Sequence, residues 1–115
     1  MISAFKLQSN VALYVPTTIH VDQQADTMEY VSLVQLRFGA WFGGTTTTEA
    51  LGGYMSSEGK HIGEKVYIVR SYCTTTQLEE YFPDVVALGD RLCQELDQES
   101  ITGEINGTMF FMDGS

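Results

Sequence analysis

Hydrophobic and polar positions follow two different periods along this chain, and each change of period marks a new element. Val11-Ala12-Leu13-Tyr14-Val15 is an unbroken apolar, β-rich run closed by Pro16, which predicts a buried central strand. Ala4 to Leu7 either extends that strand or forms a separate edge piece, and Thr17 to Thr27 is a polar connection. Val31, Val34, Phe38 and Trp41 then recur at steps of three and four. They make one face of an amphipathic helix with Met28 and Phe42 at its ends. A side-chain oxygen of Asp26 or Thr27 can cap its free N–H groups, and Gly43-Gly44 ends it. Thr45 to Thr48 opens a β-branched strand that runs to Met55, and Gly52-Gly53 within it predicts a bulge or a close backbone approach. Ser56 to Lys60 turns the chain, and Glu64 to Cys73 returns as the strongest strand.

The second half repeats the alternation. Thr76 followed by Glu79 fits a capping box, and Leu78, Phe82, Val85, Leu88, Leu92 and Leu96 recur at helical spacing. Pro83 interrupts the pattern, so the helix kinks there or its main part begins there. Ser100 to Ile105 reads as a strand, Asn106-Gly107 as a two-residue hairpin turn, and Thr108 to Met112 as the returning strand. The order predicts one α+β domain over residues 1–115. It is a ferredoxin-like β-α-β-β-α-β sandwich with a mostly antiparallel sheet and an extra C-terminal hairpin strand. Both helices cover one face of the sheet. The other face takes its aromatics from Tyr54, Tyr67, Tyr72 and either Phe110 or Phe111, according to register. An uncovered apolar face of that kind predicts a homodimer or partner surface.

Composition narrows the classes. The chain has 115 residues and is 43% hydrophobic, enough for a core without disulfide or metal staples. Fifteen Asp and Glu against six Lys and Arg give a net charge of -9, which excludes direct binding to nucleic-acid backbones or to anionic lipid. No basic leader with an apolar run is visible, and no apolar run approaches a membrane span, so a cytoplasmic location is expected. Cys73 and Cys93, far apart in sequence, read as free and buried thiols. The acidity is local. From Thr75 to Glu104 the acids are Glu79, Glu80, Asp84, Asp90, Glu95, Asp97, Glu99 and Glu104, and the one base is Arg91, a net -7. This stretch is either a solvated helix face or a surface that meets a basic protein.

Chemistry is sparse. His20 and His61 have no ligand-spaced Cys, Asp or Glu on their own elements and read as loop and turn residues. Gly43-Gly44-Thr45-Thr46 follows a helix and opens a strand, the reverse of a phosphate loop, and lacks its lysine. Glu49, Glu64, Glu99 and Glu104 lie on or beside strands, where a paired-carboxylate site and cross-strand ion pairs are both open. No catalytic set, no metal set and no cofactor is implied.

The segments Phe42-Gly43-Gly44-Thr45, Gly52-Gly53-Tyr54, Glu58-Gly59-Lys60 and Gln98-Glu99-Ser100 resemble a family of small bacterial domains of unknown function. Similar short proteins occur on plasmids and phages. This chain has Tyr54 where the family has Trp, and the pattern does not extend to the last hairpin. The resemblance implies the fold and no established activity. Together these features favour a non-enzymatic protein-binding module, such as a phage- or plasmid-encoded anti-CRISPR-like inhibitor of a host nucleic-acid-binding complex. Its partner-binding residues are Glu79, Glu80, Asp84, Asp90, Glu95 and Asp97, facing a protein with a basic surface. The alternative is a small ligand-binding or enzymatic dimeric domain, with Glu49, Tyr54, Tyr67 and Glu99 as its site.

Overall fold

A computed structural model describes residues 5–115. Its strands and helices run β1 (Ser9–Pro16), β2 (Thr18–Ile19), β3 (Gln23–Gln24), α1 (Met28–Phe42), β4 (Thr46–Met55), β5 (His61–Cys73), α2 (Thr75–Glu95), β6 (Ile101–Ile105) and β7 (Thr108–Met112). The main sheet has the order β4-β5-β1-β6-β7, and every adjacent pair is antiparallel. This is the ferredoxin-like sandwich with one added hairpin strand, β7, at its edge. β2 and β3 form a separate two-stranded hairpin inside the connection that reads as merely polar. Ala4 lies outside the described residues, and 5–7 form no strand.

β1 sits at the centre of the sheet, and only Asn10 and Tyr14 among its residues are not buried. Val11, Leu13 and Val15 face the helices and join Val31, Val34 and Phe38 of α1, Val69 of β5, and Val85 and Leu92 of α2 in the core. Burying such a side chain stabilises by roughly 1.5–3 kcal/mol each. Trp41 stacks on Tyr81 with ring centroids 5.9 Å apart, tying the end of α1 to α2.

Several local expectations change. Thr27 occupies the N-cap of α1 but its hydroxyl donates to Pro16 O at 2.6 Å, and Asp26 Oδ1 accepts from Met28 N instead. The capping box of α2 is Thr74 with Gln77, two residues earlier than Thr76 with Glu79. α2 continues through Pro83, so the main helix does not begin there. Pro83 is exposed. Gly52-Gly53 carries no bulge, since pairing runs unbroken from Leu51↔Lys65 to Tyr54↔Ile62. What comes close is a side chain and not a backbone: a Cβ on Gly53 would lie 2.6 Å from His61 Nε2 but 3.5 Å from Ile62 O, an ordinary contact. His61 itself opens β5 and is not a turn residue. Asn106 and Gly107 both take positive φ, 49° and 84°, as a tight hairpin turn requires.

Candidate functional site

Cross-strand register decides what stands on the face away from the helices. Ala12 of β1 has Arg70 of β5 opposite it on one side and Glu104 of β6 on the other. Its methyl group is fully buried and short. The two long side chains therefore meet over it, Arg70 Nη2 donating to Glu104 Oε2 at 3.0 Å. Tyr14, two residues along the same face of β1, donates its hydroxyl to Glu104 Oε1. Asn10, two residues the other way, accepts from Arg70 Nη1 at 2.8 Å. Asn106 in the last turn accepts from the Asn10 N–H at 2.9 Å. The centre of the open face is thus a satisfied polar network, with apolar side chains only around it. Tyr72 and Phe111 are exposed there, whereas Tyr67 and Phe110 face the helices and pack against the core.

The network sets the charges. The hydrogen bond from Tyr14, followed by the bond and charge of Arg70, holds the Glu104 carboxyl below its ordinary value, against the opposing effect of burial. Burial, with the Glu104 bond and charge behind it, pushes the Tyr14 phenol up. Glu104 is a fixed anion and Tyr14 a fixed neutral donor around neutral pH.

Beside Tyr14 lies a cleft of about 100 Å³ lined by Tyr14, Glu64, Val66, Gln98, Ser100 and Thr102. Three distant segments meet at its wall. Thr18 Oγ1 reaches Glu64 Oε1 at 3.2 Å, and Gln98 Nε2 donates to Thr18 O at 3.1 Å. A second depression of about 250 Å³, lined by Phe42, Thr46, Arg70 and Tyr72 among others, flanks the network on the Arg70 side. The pair of clefts puts a carboxylate, a phenol and a guanidinium within one surface of the sheet.

The residues expected to form a ligand site do not assemble. Glu49 and Tyr67 are cross-strand partners on the helix side, where Glu49 binds Lys65 at 3.4 Å. Tyr54 stands near the far end of β4, and Glu99 is exposed in the loop before β6. The expected acidic surface is partly spent within the chain. Asp90 accepts from Gly114 N, Glu95 pairs with Arg91, and Asp97 pairs with His20 at 2.9 Å. Glu79, Glu80 and Asp84 stay exposed. The signal for the observed network was period 2: Asn10, Ala12 and Tyr14 alternate with the core residues of β1. Register, which brings Arg70 and Glu104 to them, is invisible in one sequence. Both cysteines are buried and free; burial raises the Cys73 thiol, and burial and then nearby acids raise that of Cys93.

No helix among the described residues is long and apolar enough to cross a membrane. No family model matches the chain, and no curated protein matches it. Solved structures do. A phage SAM lyase in complex with S-methyl-5'-thioadenosine superposes with a TM-score of 0.69 at 18% identity, over 98% of this chain and 95% of that one. A phage SAM lyase in the apo state gives 0.69 at 15% identity with the same coverage. The expectation of a non-enzymatic, anti-CRISPR-like binder is corrected by this finding, because the proteins that share the fold from end to end are enzymes. At such identities the likeness establishes the ferredoxin-like fold.

Proposed function

We propose that this chain is an enzyme acting on S-adenosylmethionine and releasing S-methyl-5'-thioadenosine. The observation that carries the reading is the juxtaposition, on a fold shared over 98% of the chain with a lyase of that substrate, of the Tyr14–Glu104–Arg70 network and the Glu64 cleft. Release of the thioether breaks the bond between the sulfonium sulfur and the γ-carbon of the amino acid. The electron pair goes to sulfur, which becomes neutral. The four-carbon fragment either loses a β-proton to water or closes on its own carboxylate oxygen, so no co-reactant beyond solvent is needed. Each part of the site has a task in this chemistry. The Glu64 carboxylate beside the Tyr14 ring attracts a sulfonium cation, as anions and aromatic faces do. Arg70 holds Glu104 ionised and in place, and Glu104 anchors the hydroxyl of Tyr14, which lines the cleft.

Ligand sites for molecules of this size enclose about 300–1,000 Å³, so the Glu64 cleft of about 100 Å³ is one wall of a larger site. A second copy of the chain laid on the open sheet face supplies the rest, in keeping with the exposed Tyr72, Met109 and Phe111 around the network. The test is incubation of the purified protein with S-adenosylmethionine and chromatography of the products. Wild type should form S-methyl-5'-thioadenosine, Glu64→Gln should slow it, and light scattering should find more than a monomer. Absence of both product formation and calorimetric binding of either nucleoside overturns the proposal.

A further inference from the structure

We infer that Thr18 and Gln98 are positioning residues that aim the Glu64 carboxylate at a cationic ligand, so that the cleft distinguishes a sulfonium nucleoside from its neutral thioether product. The inference rests on the functional reading above. Gln98 stands in the turn between α2 and β6 and is pinned by its backbone. Its N–H donates to Cys93 O at 3.0 Å, and its C=O accepts from Cys93 Sγ at 3.0 Å. Its side-chain amide then has two protons and three acceptors in reach: Thr18 O at 3.1 Å, Leu96 O at 3.2 Å and Thr18 Oγ1 at 3.4 Å. The β2–β3 hairpin that carries Thr18 is seated on the same turn, with His20 N donating to Leu96 O and Val21 N to Asp97 O, each at 3.0 Å.

Thr18 is 3% exposed, and its hydroxyl has one proton for two acceptors, Val21 O at 3.1 Å and Glu64 Oε1 at 3.2 Å. An ionised carboxylate is the stronger acceptor, and donation from Gln98 behind the hydroxyl strengthens it as a donor. Glu64 Oε1 is thereby held against the wall, and its second oxygen is left to the cleft it shares with Tyr14. A merely structural clamp would not need the hydroxyl to face a carboxylate, because Val21 O alone satisfies it.

The test measures the KM for S-adenosylmethionine and the inhibition constant of S-methyl-5'-thioadenosine in wild type, Thr18→Val, Thr18→Ser, Gln98→Leu and Glu64→Gln. A hydrogen bond to a charged group corresponds to about a tenfold effect or more on an equilibrium. Thr18→Val and Gln98→Leu should raise the KM about tenfold and change inhibition by the neutral thioether less than about twofold. Thr18→Ser should restore the KM, and Thr18→Val should add nothing in the Glu64→Gln background. Equal losses for both nucleosides, or no loss for either, overturn the positioning role while the functional reading stands. An inactive wild type that binds neither nucleoside overturns the functional reading, and the inference with it. If Thr18→Val fails to fold, Gln98→Leu in the same cycle decides the matter.

Discussion

Ala12 is the residue on which the polar face depends, and its influence is through size. Because its methyl group is short, Arg70 and Glu104 close over it from opposite strands. Substituting Ala12→Leu pushes a larger side chain between them, and overpacking of this kind destabilises by about 1–3 kcal/mol. Urea denaturation of the variant measures it. The charges can be tested separately. The Glu104 carboxyl sits below its ordinary value because Tyr14 and Arg70 bond to it, so its contribution is present above that ordinary value and is lost as pH falls through the depressed one. Wild type should therefore lose more stability than Glu104→Gln on acidification from pH 6 to pH 2, a window taken as roughly that over which carboxylates protonate. At the alkaline end the raised Tyr14 phenol works in the opposite sense. Its contribution is present below the ordinary phenol value and lost as pH rises through the raised one, so Tyr14→Phe should flatten the alkaline loss. At this scale the sequence shows the residue types and hides their company. Glu104 and Tyr14 are ninety positions apart, and only the pairing of β1 with β6 makes them neighbours.

Elements were legible wherever the periodicity was strong. The bounds of α1 and β7 fall where the spacing puts them, because an apolar stripe and a Gly43 or Asn106-Gly107 terminus agree. The start of α2 was misplaced because two Thr-x-x-Gln/Glu pairs overlap in Thr74 to Glu79, and local sequence does not rank them. The main helix did not begin at Pro83 because the apolar stripe on both sides of it packs into one core, which overrides a local penalty. That penalty survives as a prediction. Pro83→Ala restores a donor for the Glu79 carbonyl at an exposed position and should stabilise by about 1–3 kcal/mol in thermal melts. Gly89 gives the converse case. A Cβ there would lie 2.0 Å from Met112 Sδ, so Gly89→Ala crowds the α2–β7 contact despite a helix-propensity gain of about 1 kcal/mol. The substitution should destabilise in wild type and stabilise in the Met112→Ala background, a change of sign that a melting curve detects.

For the whole molecule, the acidity of the second half divides: Glu79, Glu80 and Asp84 of α2 stay exposed, whereas Glu104 lies at the centre of the polar network. Converting Glu79, Glu80 and Asp84 to Lys should leave release of S-methyl-5'-thioadenosine within about twofold of wild type, as surface changes away from special features usually do. The ferredoxin-like order was readable from the alternation of periods alone. The site was not, because it is built by register between strands and by a turn, Leu96 to Gln98, whose Gln98 belonged to a pattern that implied the fold and no activity. The molecule measures 55 Å by 27 Å by 22 Å, and β4 and β5 run on past the end of β1. β1 supports β5 only from Val66 onward and Thr17 and Thr18 still reach Lys65 and Glu64, so Gly53 to Met55 and His61 to Gly63 form a two-stranded ribbon with no third strand among the described residues. An isolated ribbon of this kind is marginal in water. It is consequently the first part of the sheet to unzip, and amide hydrogens in the ribbon should exchange with solvent through local opening while those of β1 wait for the whole domain to unfold.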